Sequence, residues 1–325
     1  MRYVHSDEPG ISRRKAGRGW VYFDPRGKRI TDRREIDRLN AIALPPAYRD
    51  AWYSPFADAH LLATGRDSRG RKQYRYNPEF RQRKDDRKFA NCLRFGQALP
   101  ALRKRVAQDL RGRRASEARA IAALVRLLDC AHIRIGNEDY TRSNGSYGAS
   151  TLTKRHVRRD GRNLRIFYRG KGGKEHDVEL DDPALRRFVR DMQDLPGQRL
   201  FQFVDDDGAV RTIGSTEVNA YIRAAMGDAF SAKDFRTWSA SVAALAALAE
   251  APAGVSVTTM AEISAAQLGN TAAVARKAYI HPRLIAMAGG GARRPVELPR
   301  SGKWLSSAER GLLKLLAARR GALSR

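Results

Sequence analysis

A change of hydropathy period partway along the chain limits what it can fold into. Before Asn77-Pro78, β-prone residues come in short runs broken by turn residues. After that point, apolar positions such as Leu102, Val106 and Leu110 recur at helical spacing within long charged stretches. The two periods belong to different layers, so the expectation is an α+β protein. A small N-terminal antiparallel sheet domain with helices would precede a larger, mainly α-helical domain that contains a small sheet. A boundary near residues 80 to 90 puts these domains at 1–86 and 87–325, each long enough to bury a core of its own.

Local signals fill in the elements. Residues 20–30 carry two β-prone runs around Pro25-Arg26-Gly27, and Asp32 opens a helix with Ile36, Leu39 and Ile42 on one face. Residues 59–77 read as a second hairpin with Asp67-Ser68-Arg69-Gly70 as its loop. In the second domain, Asp160-Gly161 between alternating runs is a strong hairpin signal. The turn Gly170-Lys171-Gly172-Gly173-Lys174 then leads into a third strand ending at Leu180. Asp182-Pro183 supplies an acidic cap and a proline at the first helical position. Further helices are expected over 216–226, 233–250, 258–268 and 307–319, with the glycine run at 289–291 as a flexible connection.

Charge narrows the partners. Lys and Arg number 62 against 35 Asp and Glu, a formal net charge of +27. Such an excess attracts polyanions, and nucleic acid is favoured because binding a phosphate backbone releases condensed counterions. No basic amphipathic helix dominates, which disfavours an anionic membrane surface. The six histidines are scattered without metal-ligand spacing, and Cys92 and Cys130 form no motif, so neither a metal nor a cofactor is expected. The N-terminal residues lack the apolar run of a signal peptide, and 240–248 is too short to span a bilayer. A cytoplasmic, nucleoid-associated protein is expected.

The segment LGNTAAVARKAYIHP ends in Tyr279 and its flanking residues. Alone, a tyrosine after a basic helix is an ordinary packing or surface residue. Its company changes the reading: Arg134 in HIRIGNEDY, Lys171 in YRGKGGK and Arg236 in KDFRTW precede it in order, and TGRDSRGRKQYRY lies further upstream. In these five motifs the chain resembles the type IB DNA topoisomerases of the poxvirus and bacterial group, and more distantly the tyrosine recombinases. The resemblance runs from about Tyr3 to the C-terminal helix. It implies that Tyr279 nicks one strand of duplex DNA, holds the 3′ phosphate, lets the 5′ end rotate, and religates without ATP or metal. It also implies a phosphate clamp of Arg134 and Arg236, with Arg134 helping to protonate the leaving oxygen, and Lys171 as general acid. Lys233 becomes a further phosphate or proton-relay candidate, and Tyr140 matches a phosphate-contact position.

Elementary chemistry supports these assignments. A tyrosine hydroxyl, with an ordinary pKa of about 10, must lose its proton as it attacks. Guanidiniums stay charged and can donate two parallel hydrogen bonds to the phosphate as its charge grows. A 5′ alkoxide leaves poorly without a proton, which a lysine at a hairpin tip can deliver. The GKGGK stretch lacks the Gly-Lys-Ser/Thr ending of a nucleotide loop, so ATP binding is disfavoured. Most relatives place histidine nine residues before the tyrosine; here it is Asn270. Asparagine can donate a hydrogen bond but cannot titrate near neutrality, so it is expected only to support the transition state. His281 reads as a packing or phosphate residue rather than the missing base.

In RKQYRY, alternation puts Gln73 and Arg75 on one strand face and Lys72, Tyr74 and Tyr76 on the other. A lysine such as Lys72 can hold a phosphate, and the resemblance makes Gln73, Tyr74 and Tyr76 DNA contacts; the alternative is a solvated basic edge strand. The two domains would then form a C-shaped clamp around duplex DNA, and a monomer suffices for that. A tyrosine recombinase or integrase is a rival, but KDFRTWSAS lacks the His-x-x-Arg box usual in that helix. A non-catalytic basic DNA-binding protein would account for the charge but not for Arg134, Lys171, Arg236 and Tyr279 arriving in order.

Overall fold

The computed structural model describes the chain except residues 113–114, 161–162, 252–253, 290–295 and 319–325, and except the side chains of Tyr140, Arg159, Asp160 and Asn163. The Asp160-Gly161 turn, most of the glycine run and the basic C-terminal end therefore lie outside the described residues. The chain divides into two compact units, Met1–Arg87 and Lys88–Arg325. The architecture is α+β, as the two hydropathy periods require.

The first unit is built on a five-stranded antiparallel sheet. Its elements are β1 (Ile11–Ala16), β2 (Gly19–Phe23), α1 (Arg33–Ala41), β3 (Arg49–Tyr53), β4 (Leu61–Arg66) and β5 (Lys72–Tyr76), in the spatial order β2-β1-β3-β4-β5. The first hairpin differs from the expectation for residues 20–30. It pairs β1 with β2 across Gly17, whose φ of 58° suits the tight turn, while the later run contributes only the bridge Phe23 to Arg29. The apolar pattern of β1 is weak, because four of its six residues are polar or charged and only Ile11 is buried. The Asp32 side chain accepts from the Arg34 N–H to start α1, which buries Leu39 against Ile11, Tyr22, Tyr53 and Ala63. The strand β5 forms one edge of the sheet, paired with β4 around the Asp67–Gly70 loop.

A long helix, α2 (Pro78–Asp109), opens with proline and with the Asn77 side chain accepting from the Glu79 N–H; the division between units falls within it. The second unit continues with α3 (Glu117–Ala131), α4 (Glu138–Asn144), the sheet β6 (Val157–Asp160), β7 (Asn163–Arg169) and β8 (Glu175–Glu179), and α5 (Pro183–Gln193). A small hairpin of β9 (Gln202–Val204) and β10 (Val210–Thr212) follows, then α6 (Ser215–Met226), α7 (Asp234–Glu250), α8 (Val257–Leu268), α9 (Ala272–Ala278), α10 (Pro282–Gly289) and α11 (Ser307–Ala317). The helices α3 and α7 are apolar around most of their circumference and form the centre of the unit. Leu124, Leu127 and Leu128 share a core with Phe95, Leu99, Phe188, Phe201 and Phe235. Arg103 of α2 ties this core together, bonding Asp129 of α3 at 2.8 Å and Glu309 of α11 at 2.7 Å, while Trp238 donates to Glu309 at 3.1 Å. Among the described residues no helix is long and apolar enough to cross a membrane.

Candidate active site

The site in the second unit is organised by Arg236. Its side chain is buried in the first turns of α7, and its guanidinium reaches the ends of two other helices. It donates to the carbonyl of His132, the C-cap of α3, and at 3.0 Å to the carbonyl of Leu268, the last residue of α8. Carbonyls at helix C-termini lack intrahelical partners and carry partial negative charge, so a guanidinium there is favourable. Two residues beyond His132 comes Arg134, and two beyond Leu268 comes Asn270. One arginine thus fixes the origins of both neighbouring site residues.

Each neighbour is also held locally. The backbone carbonyl of Arg134 accepts from the Ala149 N–H at 2.8 Å, where Gly136 and Gly148 cross closely enough that a Cβ on Gly148 would lie 2.6 Å from the Arg134 oxygen. Asn270 follows Gly269, which ends α8 in the left-handed region at φ 62° and ψ 36°; the Asn270 N–H returns to Ala265 at 2.9 Å. Thr271 then caps α9, whose own C-cap is Tyr279. The backbone there is pinned from both sides. Lys88 donates to the Ala278 carbonyl at 2.9 Å, and the Ser241 hydroxyl of α7 accepts from the His281 N–H at 3.0 Å.

These elements bring Arg134, Arg236, Asn270 and Tyr279 together. Arg134 Nη1 donates to the Tyr279 hydroxyl at 3.2 Å, and Nη2 donates to Asn270 Oδ1 at 3.3 Å. The Arg236 guanidinium lies 5.1 Å from the centre of the Tyr279 ring. Burial pushes the tyrosine pKa up, but the charges of Arg134 and Arg236 outweigh it, and the hydroxyl is left more acidic than an ordinary tyrosine. Two buried donors, Arg236 Nε and Asn270 Nδ2, have no hydrogen-bond partner among the described residues. Buried donors are normally satisfied, and leaving one unmade costs about 1–3 kcal/mol, so such a pair beside two guanidiniums fits a site for an anion's oxygens.

Other sequence candidates stand outside that hydrogen-bonded cluster. Lys171 is exposed on a 3₁₀ turn, Lys171–Gly173, between β7 and β8. The same turn approaches the cluster through Lys174, whose Nζ donates to the Asn270 carbonyl at 3.3 Å. Lys233 is exposed immediately before α7. The Tyr140 side chain lies outside the described residues. His281 packs edge-on against Phe89, with ring centres 5.6 Å apart, and its Nδ1 accepts from the Arg283 N–H. Burial, then the nearby Arg283, lowers its pKa to about 4, so it stays neutral near neutrality. In the first unit, Tyr74 and Tyr76 stack 6.0 Å apart with Lys72 over the Tyr74 ring, whereas Gln73 donates to Asp67 at 3.0 Å and Arg75 to the Ala43 carbonyl at 3.2 Å.

Sequence reading found the side chains that meet, but it missed Ser241, Lys88 and Lys174, which act on backbone groups. Their only signal is proximity, which one sequence does not carry. Comparison with known proteins gives the family. Residues 77–279 match the model of the eukaryotic DNA topoisomerase I catalytic core, and residues 19–67 match that of the bacterial DNA topoisomerase IB N-terminal domain. DNA topoisomerase 1B of Acanthamoeba polyphaga mimivirus is 30% identical over 285 residues, 83% of this chain and 85% of that protein. The chain belongs to the type IB DNA topoisomerases, a family of isomerases.

Proposed function

We propose that the chain relaxes supercoiled duplex DNA by reversible transesterification at Tyr279. The Tyr279 oxygen bonds to a backbone phosphorus while the bond from phosphorus to the 5′ oxygen breaks. The tyrosine proton passes to water, and Lys171 gives a proton to the leaving oxygen. The enzyme then holds the 3′ phosphate, the 5′-hydroxyl end rotates, and the reverse reaction reseals the strand. Because one phosphoester replaces another, neither ATP nor a metal ion is needed to balance the reaction.

The observation that carries this reading is the Tyr279 hydroxyl bonded to Arg134 at 3.2 Å beside a second buried guanidinium. The two cations favour the phenolate and would neutralise charge growing on the non-bridging oxygens. Asn270 fits the same role. Its Oδ1 is taken by Arg134, which turns the unpartnered Nδ2 into the group left to donate. In the first unit, Lys72 and the exposed Tyr74 suit phosphate contacts, and Gln73 and Tyr76 share the same edge strand. Lys233 and Tyr140 complete the proposed DNA contacts. A monomeric cytoplasmic enzyme is part of this reading.

The test is relaxation of a negatively supercoiled plasmid in EDTA without ATP. The unaltered protein is expected to relax it and to leave a covalent protein–DNA adduct after SDS; Tyr279→Phe is expected to do neither. Relaxation surviving the substitution, or none by the unaltered protein, overturns the reading. A recombinase would instead give recombinant products from paired sites, and a passive binder would retard the plasmid without an adduct.

A further inference from the structure

The turn that carries Lys171 and the joint that carries Asn270 are separated by one imidazole. Tyr168 and His176 are directly opposite across β7 and β8, and their rings stack with centres 4.8 Å apart and an interplanar angle of 7°. The His176 ring then fills the space between two glycines. A Cβ on Gly170, next to Lys171, would lie 2.7 Å from His176 Cδ2 and Nε2; a Cβ on Gly269, next to Asn270, would lie 2.3 Å from Cε1. Real Cβ atoms do not approach so closely, so both backbones rest on the ring itself. Interiors this tightly packed transmit displacement rather than absorb it.

We infer that His176 is a positioning residue: its ring sets the distance between the Lys171 turn and the Asn270–Tyr279 segment, and so delivers the lysine to the leaving oxygen. This rests on the general-acid role proposed for Lys171. The turn is short and glycine-rich, with Gly172 and Gly173 both at positive φ, and its internal bonds are Gly170 N–H to Lys174 O and Gly173 N–H to Gly170 O. Those bonds shape the turn but do not seat it against α8 and α9. Two contacts among the described residues do: the His176 ring and the Lys174 bond to the Asn270 carbonyl. Lys174 is exposed, whereas the ring is held by Tyr168, itself buried. Ring bulk rather than proton transfer is what the geometry asks of His176.

Leaving-group chemistry separates this role from a general structural one. A 5′-bridging sulfur leaves as a thiolate and needs no proton, so a defect that acts through Lys171 disappears on a sulfur-bridged substrate. Single-turnover cleavage by His176→Ala is expected to fall about tenfold to a hundredfold on the oxygen substrate, the scale set by a misplacement of about 1 Å. On the sulfur substrate it should return to within a few fold of the unaltered protein. His176→Phe, which keeps a flat ring on Tyr168, is expected to recover most of the oxygen rate. Gly170→Ala, at an ordinary φ of −93°, presses the ring from the other side and should show the same oxygen-selective loss even if His176→Ala fails to fold. Equal defects on both substrates, or a Phe variant as slow as the Ala variant, overturn the inference. Lys171→Ala run in parallel keeps the two readings apart. If sulfur fails to rescue it, the general-acid reading falls; if sulfur rescues it but neither His176→Ala nor Gly170→Ala, only the positioning role falls.

Discussion

Tyr279 ionises in a contest between burial, which opposes a phenolate, and two guanidiniums, which favour it; the guanidiniums prevail. On the proposed mechanism the cleavage rate therefore rises with pH and levels off below the usual tyrosine range. Arg134 is the stronger of the two lowering charges. Arg134→Gln should move the inflection to higher pH and reduce the plateau on the order of 10²- to 10³-fold, the loss typical of one preorganised donor. Single-turnover cleavage against pH checks both; an unmoved inflection would confine the arginine to the phosphate. Asn270 makes the opposite prediction. With no proton to exchange near neutrality, Asn270→Ala should slow cleavage by a similar factor at every pH. A profile that gains or loses an ionisation would show that the position takes part in proton transfer.

At the scale of elements, the site depends on helix ends meeting. Arg236 joins the C-termini of α3 and α8, while Arg103, Asp129 and Glu309 hold α2, α3 and α11 behind them. Removing one member of a buried ion network leaves the others uncompensated, so Arg103→Ala should cost about 3–5 kcal/mol in chemical denaturation. Burial raises the Glu309 pKa, but its bonds to Arg103 outweigh that and leave it below the usual value. A depressed carboxylate stabilises the fold above its unfolded pKa of about 4.3 and loses that contribution as pH falls further. Stability measured downward from pH 5 should fall in the unaltered protein and fall less steeply in Glu309→Gln. Much at this scale was legible in the sequence. Asp32 and Asp182 cap the helices they were expected to open, and the hairpin of β7 and β8 follows from its alternation and glycines. The hairpin of β1 and β2 was misplaced because charge, not apolar alternation, fills β1. The hub role of Arg236 was not legible, because its partners are carbonyl oxygens that every residue possesses. His176 was not legible either, since only strand register sets it opposite Tyr168.

At the scale of the molecule, the net charge of +27 and the charges inside the site act in different dielectric regimes. Among the described residues most Lys and Arg side chains meet solvent, where salt screens them over roughly 8 Å at physiological ionic strength. Arg236 and the half-buried Arg134 act on Tyr279 at contact distance and are screened far less. Salt should therefore separate association from chemistry. If binding duplex DNA displaces counterions from about 6–10 phosphates, affinity should fall on the order of 10³- to 10⁵-fold between 50 and 200 mM salt. The single-turnover cleavage constant at saturating protein should change little over the same range, because the bound complex retains the cations that act on the phosphate. Filter binding and rapid-quench cleavage on one duplex measure the two quantities. A cleavage constant that falls in step with affinity would mean that exposed charges assemble the site as well as attract the DNA. A shallow dependence of affinity on salt would instead assign most of the +27 to solvation rather than to the phosphate backbone.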